Sequence, residues 1–362
     1  MGKPLRILTA VPLCDGHDSA VTTINLELVR HGIEVIYLGY HRSVGDVVRA
    51  AIQEDVRAIG LSSYNGGHVE YFGDVWRRLR QAGRGDIGIF GGGGGTITPR
   101  DAQIMARTGV QRIFFPGTPL KESAQWILKT YGSRRVGIPA HRLLTAEKGG
   151  GRVRPPYRPR VIGFAGPGGA GKTTLIDELV LRFLQTHPRG HIAIVCHDPS
   201  LENGGALLGD RAAMIHCQDD RVFLRSLATR GQAGGLAPST ARLLGALKRQ
   251  GGFDVIFVET VGIGQESSPF SRGLADTAVL VMSPNYGSRL QLQKIVAFDA
   301  ADIVVINKSD LPGAPAARNE IHQRLAARAG DVQIMTTTAK THRDAGVDAL
   351  YRLLEEQLSE LP

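Results

Sequence analysis

The octapeptide Gly166-Pro167-Gly168-Gly169-Ala170-Gly171-Lys172-Thr173 constrains this chain more than any other stretch, because of what stands on either side of it. The apolar run Arg160-Val161-Ile162-Gly163-Phe164-Ala165 leads straight into it as a buried strand, and Thr173 to Phe183 follows with helical periodicity. Strand, glycine-rich turn and helix in that order make a phosphate-binding loop. The N–H groups of Gly168, Gly169, Ala170, Gly171, Lys172 and Thr173 converge at a helix N-terminus, where the peptide dipoles favour an anion, and Thr174 belongs to the same first turn. Lys172 is placed to bridge β- and γ-phosphate oxygens, and the Thr173 hydroxyl to ligate Mg²⁺. A bare glycine turn would leave Lys172-Thr173 unexplained.

The base is indicated further along, where the apolar strand Ile303–Ile306 ends in Asn307-Lys308-Ser309-Asp310. A carboxylate at Asp310 can accept from both N1–H and N2–H₂ of guanine, and adenine offers neither donor on that edge, so GTP is expected rather than ATP. The segment Thr337-Thr338-Ala339-Lys340 is expected over the base, with Ala339 part of the nucleotide site. Between these motifs, Val255-Ile256-Phe257-Val258 reads as a strand ending in Glu259-Thr260-Val261-Gly262. Glu259 can reach Mg²⁺ directly or through water, and the Gly262 amide can approach a γ-phosphate with no side chain in the way. Asp198, in His197-Asp198-Pro199-Ser200, and Asp210, in Gly209-Asp210-Arg211, are the other acids expected on the magnesium side.

With 362 residues the chain has room for two cores, and the sequence divides accordingly. Between Ser133 and Arg160 eight cations face the single acid Glu147, and the stretch also carries Gly149-Gly150-Gly151 and Pro155-Pro156 without periodicity. Residues 133–159 are therefore expected to be a solvated basic linker between domains 1–132 and 160–362. The stretch from Ser133 through Arg160 accounts for seven of the nine net positive charges, so the overall basicity is no nucleic-acid signal, and no basic face interleaved with aromatics is present. Three widely spaced cysteines, Cys14, Cys196 and Cys217, indicate neither a disulfide framework nor a zinc knuckle. No apolar run reaches the ~18 residues that cross a bilayer, and a cytoplasmic protein without membrane or nucleic-acid partners is expected.

In residues 1–132 short apolar runs at Leu5 to Val11, Val35 to Leu38, Ala58 to Leu61, Ile87 to Phe90 and Ile113 to Phe115 alternate with helical patterns. Five β-α repeats argue an α/β, doubly wound parallel sheet in flavodoxin-like order, since parallel strands need helical crossovers. In that order the crevice lies over the carboxyl ends of the first and third strands. Those ends carry Cys14-Asp15-Gly16-His17-Asp18-Ser19-Ala20 and Ser62-Ser63-Tyr64-Asn65-Gly66-Gly67-His68, and the fourth strand runs into Gly91-Gly92-Gly93-Gly94-Gly95. The five glycines discard side chains where a large flat ligand could lie against backbone. Asp15 can accept from the free ring nitrogen of His17, which would fix the tautomer and raise its basicity toward a metal.

Asp15-x-His17 with Ser62 and the Gly91–Gly95 run resembles the cobalamin-binding domain of adenosylcobalamin-dependent acyl-CoA mutases. The resemblance implies a flavodoxin-like, Rossmann-type cobalamin-binding domain in which His17 is the lower cobalt ligand, Ser62 contacts the benzimidazole tail, and Tyr64, Gly91, Gly92 and Gly93 line the cofactor site. Two departures from the family pattern are Ala20, where a glycine is usual, and Tyr64, where a leucine is usual. Asp198-Pro199-Ser200, Gly204 to Arg211, Arg225 to Arg230 and Glu259 to Gln265 resemble the G-protein chaperones of the same mutases. That implies a P-loop GTPase domain: Lys172, Thr173, Asp198, Asp210 and Glu259 serve phosphate and Mg²⁺, while Asn307, Lys308 and Asp310 read guanine. The loops from Leu201 to Arg211 and from Val261 to Ser268 would be switches, with Arg225, Arg230 and Gln265 as further candidates for transition-state charge or signalling.

Both domains, in this order, resemble the fused isobutyryl-CoA mutases. A substrate-binding barrel needs ~250 residues, which the chain does not hold. The expectation is therefore a natural small subunit that uses GTP to gate loading of adenosylcobalamin and needs a separate large subunit for acyl-CoA rearrangement, with a fragment of a longer polypeptide as the other reading of its length and homodimerisation open. The alternative is a cobalamin-responsive regulatory GTPase without a mutase partner. The large subunit would discriminate isobutyryl from related acyl groups.

Overall fold

A computed structural model describes residues 4–13, 19–132, 158–262, 270, 273–286, 296–326 and 332–359. The first part alternates strictly: β1 (Arg6–Ala10), α1 (Ser19–Arg30), β2 (Glu34–Tyr37), α2 (Val44–Gln53), β3 (Ala58–Ser62), α3 (His68–Gln81), β4 (Gly88–Gly92), α4 (Pro99–Arg107), β5 (Arg112–Phe114) and α5 (Leu120–Tyr131). Adjacent strands are parallel, with Thr9 level with Gly60 and Gly60 level with Phe90. β1 and β3 are buried along their whole length, which explains their near-continuous apolar sequence, because helices cover both faces of a parallel sheet. Ile7, Val35, Ala58, Phe90, Ile127 and Tyr131 share one core cluster. Ser43 and Thr98 start α2 and α4 with reciprocal capping boxes to Asp46 and Asp101.

The remaining elements are β6 (Arg160–Ala165), α6 (Lys172–Thr186), β7 (Ile192–Asp198), β8 (Ala206–Leu208), α7 (Asp210–Ala213), β9 (Val222–Ala228), α8 (Thr240–Gln250), β10 (Val255–Glu259), β11 (Thr277–Met282), β12 (Ile303–Ile306), α9 (Ala314–Leu325), β13 (Gln333–Thr336) and α10 (Ala345–Ser359). One sheet has the order β13-β12-β11-β6-β10-β7-β9. β6 lies between β10 and β11, all parallel, so the phosphate loop leaves from the middle of the sheet. Its core gathers Phe164, Leu175, Phe183, Ile194, Phe257 and Leu350.

The other sheet has the order β5-β4-β3-β1-β2-β8. This is the expected flavodoxin-like arrangement with one strand more. The stretch from Leu201 to Arg211, expected as a loop, contains β8, which pairs in parallel with β2 through Glu34↔Ala206, Val35↔Leu207 and Ile36↔Leu208. By its packing Asp198–Ala212 belongs with the residues before the linker, and the remainder of the chain from Arg152 forms the second unit. Asn203 donates to Arg30 O at 2.7 Å, and a Cβ on Gly205 would stand 1.9 Å from Val29 O, so only glycine lets the strand approach so closely. Next to β8, Arg211 is fully buried: its Nε donates to Glu54 at 3.2 Å and its Nη2 to Gln53 at 3.0 Å. Arg6 joins the same cluster through Glu54 at 2.8 Å and Glu34 at 2.6 Å. Buried guanidinium and carboxylate groups are tolerable only with such mutual pairing. Among the described residues no helix is long and apolar enough to cross a membrane, and Cys196 and Cys217 are buried free thiols. The linker expected at 133–159 lies, but for 158 and 159, outside the described residues.

Candidate functional site

In the first unit, a cavity of about 240 Å³ opens at the carboxyl ends of β1, β3 and β4. Ser62, Tyr64, Gly91, Gly92 and Gly93, all singled out in the sequence, line it together with Ala20. Asp15 and His17 lie outside the described residues, but the elements on both sides of their loop reach the cavity: Thr9 from β1, and Val21, Ile24 and Asn25 from α1. The rest of the wall is mostly apolar, with Leu61, Phe90, Phe114 and Ile127 prominent beside Thr118 and Ser123. A space of this size holds a bicyclic heterocycle, not a whole corrinoid.

The glycine run has a second cause besides room for a ligand. A Cβ on Gly93 would stand 1.8 Å from Ser63 O, one on Gly94 2.0 Å from the Tyr64 ring, and one on Gly91 2.4 Å from Leu61 O. The protein's own atoms, the backbone at Leu61 and Ser63 and the Tyr64 ring, therefore fill the space a side chain would need at these positions. Gly95 differs: nothing would meet its Cβ, and its φ of +96° is what requires glycine. Thr9 and Asn25, two of the lining residues, each carry a fully buried polar atom, Oγ1 and Oδ1, with no hydrogen-bond partner among the described residues. An orphaned buried polar atom costs about 1–3 kcal/mol. A largely apolar cavity of this size fits a flat heterocycle, which the nucleotide tail of a cobalamin carries.

In the second unit, β6 turns through Gly166–Gly171 into α6. Gly171 caps the helix at φ +88°, and a Cβ there would lie 2.4 Å from Asn307 Nδ2. The Lys172 ammonium is buried within the loop and donates to Gly166 O at 3.0 Å and Pro167 O at 3.2 Å. Thr173 Oγ1 donates to Glu259 Oε1 at 2.7 Å, which places the two oxygens expected on a cation side by side. A Cβ on Gly262 would stand 2.6 Å from both Gly168 N and Cα, so Gly262 lies against the phosphate loop. Gln265 lies outside the described residues. Asp198 accepts from Gly209 N at 3.2 Å; it and Asp210 belong to the stretch that packs with the first unit.

Asn307 ties three loops together rather than facing outward. Its Nδ2 donates to Ala170 O at 2.9 Å, while its Oδ1 accepts from Thr337 Oγ1 and Ala339 N, both at 3.0 Å. Lys308 adopts φ +60°, turning the chain so that Ser309 N bonds Thr337 O at 3.0 Å. Asp310 stands at the surface with Lys340 Nζ at 2.5 Å, and that hydrogen bond holds its carboxyl below the usual range.

One buried group was not picked out from the sequence. His197 Nδ1 is 2.7 Å from Glu259 O and its Nε2 is 2.7 Å from Thr240 Oγ1. Burial pushes its pKa down to about 4, so the ring is neutral: Nδ1–H donates to the carbonyl, and Nε2 lies against a hydroxyl that itself donates to Ala237 O at 2.8 Å. The ring thereby fixes the backbone of Glu259. Its place in the sequence beside Asp198, at the end of an apolar strand, was the available signal.

Two family models match the chain: "Methylmalonyl Co-A mutase-associated GTPase MeaB" over residues 152–361, and "B12 binding domain" over residues 5–122. The chain belongs to the MeaB GTPase family. Among curated relatives, a fused isobutyryl-CoA mutase of Nocardia farcinica is 37% identical over 98% of this chain and 36% of its own length. Another from Geobacillus kaustophilus is 34% identical over 98% of this chain and 37% of its own. The chain thus spans about a third of the length of these relatives. In this MeaB-family chain the B12-binding match contains the cavity-lining residues Thr9, Ser62, Tyr64 and Gly91–Gly94, and the GTPase match contains the phosphate loop.

Proposed function

We propose that this chain is a GTP-hydrolysing, adenosylcobalamin-binding partner of an acyl-CoA mutase, in which nucleotide state gates cofactor loading onto the substrate-binding part of that enzyme. One observation carries the reading: a glycine-lined, largely apolar cavity and a complete phosphate loop occur in one chain. His17 would supply the lower cobalt ligand, held in its tautomer by Asp15, and Ser62 and Tyr64 would enclose the tail. When bound, the cofactor supplies radical chemistry for carbon-skeleton rearrangement of an acyl-CoA such as isobutyryl-CoA. The protein's part is to bind, orient and exclude water.

In the GTPase site, backbone amides of Gly168 to Thr173 and the Lys172 ammonium would neutralise phosphate charge as it moves toward the leaving oxygen. Thr173 and Glu259 would hold Mg²⁺, with Asp198 and Asp210 on the magnesium side, and Asp310 would select guanine. Gln265 is a candidate for orienting the attacking water. The test is the visible spectrum of the purified chain titrated with adenosylcobalamin, with and without a non-hydrolysable GTP analogue. A base-off, histidine-ligated spectrum that His17→Ala abolishes, and that responds to nucleotide, is the expected result. A spectrum indifferent to His17 would sink the corrinoid assignment, and one indifferent to nucleotide would sink the gating.

A further inference from the structure

His197 is buried in the second unit near the end of β7, and no step of the proposed GTPase chemistry uses it. β10 pairs with β7 as far as Val258↔Val195, and one residue further along β10 the Glu259 carbonyl meets the His197 ring, with Nδ1 at 2.7 Å. The same peptide group is held from its other edge, where Thr260 N donates to Phe164 O of β6 at 3.0 Å. The ring is itself anchored at Thr240, the first residue of α8: Nε2 lies 2.7 Å from Thr240 Oγ1, and that hydroxyl donates to Ala237 O at 2.8 Å. Just ahead of α8, Gly235 O accepts from Val261 N at 3.1 Å. The main chain from Glu259 to Val261 is thus fastened at three consecutive residues. A leucine at 197 would have no polar group to desolvate, so what the imidazole bonds is what accounts for it.

We propose that His197 is a positioning residue for the magnesium site: by bonding Glu259 O it sets the main chain from which the Glu259 carboxylate reaches the Thr173 hydroxyl; this rests on the GTPase reading above. Glu259 Oε1 and Thr173 Oγ1 are 2.7 Å apart, the two oxygens expected on the cation. Mg²⁺ demands near-octahedral geometry and tolerates little displacement of its ligands. Groups that orient a metal's ligands typically change metal affinity by about ten- to a hundred-fold when removed. The bonds that shape the rest of the nucleotide site, from Lys172 to Gly166 O and Pro167 O and from Asn307 to Ala170 O, do not pass through His197. Nucleotide binding without metal should therefore be indifferent to His197, and the metal-dependent part should not.

The experiment measures binding of a fluorescent, non-hydrolysable GTP analogue to the whole chain in EDTA, and then the Mg²⁺ concentration that half-saturates the fluorescence change of the complex. His197→Leu should raise that concentration about ten-fold, the equivalent of 1.4 kcal/mol, and leave the Kd in EDTA within about two-fold of wild type. His197→Asn, whose side-chain N–H can stand where Nδ1–H does, should restore it to within about three-fold. In a Glu259→Gln background His197→Leu should add no further shift, because the carboxylate through which it acts is gone. An unchanged Mg²⁺ requirement in His197→Leu overturns the proposal while leaving the GTPase reading intact. An equal shift in the Glu259→Gln background overturns it too, and so does an equal loss of affinity in EDTA, since His197 would then act otherwise than through that carboxylate. If His197→Leu does not fold, Thr240→Val decides: it withdraws the ring's second support and should raise the Mg²⁺ requirement about three-fold, and no shift overturns the proposal. If wild type does not bind the analogue, or binds it without any response to Mg²⁺, the GTPase reading itself fails and takes this one with it.

Discussion

The cavity of the first unit and the phosphate loop of the second treat their polar groups in opposite ways. Around the cavity the lining is largely apolar, and Thr9 and Asn25 keep buried polar atoms unbonded. At the phosphate loop, the groups expected to serve ligands are bonded to one another: Lys172 to Gly166 and Pro167, Thr173 to Glu259, Asn307 to Ala170 and Ala339, and Asp310 to Lys340. The first is a shaped space, held open by glycines whose replacement the backbone itself forbids. The second is a lattice of hydrogen bonds that keeps loops in position and must exchange partners when a nucleotide enters. Two ways of preorganising a site follow from this, one steric and one polar, and substitutions should tell them apart.

The largest effect is expected at Lys172. Its ammonium holds the loop and, in the proposed site, would face the phosphates, so Lys172→Ala should lower GTP turnover at saturating GTP by about 10²–10³-fold. Turnover within a few-fold of wild type would break the polar half of the comparison. The next is steric. Gly93→Ala puts a Cβ 1.8 Å from Ser63 O, so backbone must shift, and a loss of about 3 kcal/mol in the unfolding free energy of the first unit is expected by denaturant titration. Gly95→Ala meets no atom and bears only its positive φ, a cost of about 1 kcal/mol. Equal costs at the two positions would mean that the run serves conformation rather than close approach.

A third effect separates the sites by pH. His197 has its pKa pushed from 6.5 down to about 4, so between those values the unfolded chain takes up a proton that the folded chain refuses. Stability contributed by the neutral ring is complete above pH 6.5 and is lost as pH falls toward 4, at up to about 1.4 kcal/mol per pH unit. Urea unfolding of the second unit across that window should show the slope in wild type and a flatter one in His197→Gln. A variant with the full slope would place the titration elsewhere.

The sequence made the sheets and the phosphate loop legible because their signals are local. Apolar runs mark buried strands, and glycines followed by Lys172-Thr173 mark a loop whose backbone does the binding. β8 was not legible. Ala206-Leu207-Leu208 is too short to show a period, and its pairing with β2 is a long-range event that no window of sequence contains. Arg211 was hidden for the same reason: next to Asp210 it looks like a solvated cation, and only packing against Glu54 and Gln53 reveals it buried. Thr9 and Asn25 look like ordinary strand and helix residues, and what distinguishes them, the lack of a partner, exists only in three dimensions. The glycine run was visible but half understood, since Gly93 and Gly94 answer to Ser63 and Tyr64 as much as to any ligand.

The smallest effect is the most exacting for the polar half of the comparison. Asp310 is ionised near neutrality with or without help, because the Lys340 hydrogen bond lowers a pKa that is already acidic. Lys340 is itself mostly exposed, and an exposed ion pair contributes little. Lys340→Ala should therefore change the affinity for GTP by no more than about three-fold. Asp310→Asn, which replaces an acceptor-only group by a mixed amide, should cost about ten- to hundred-fold in selection of GTP over ATP. Competition binding with the two nucleotides measures both. A Lys340 effect as large as that of Asp310 would show that the ion pair, rather than the Asn307 tether, places the carboxylate, and the base-reading loop would then depend on a surface contact instead of a buried one.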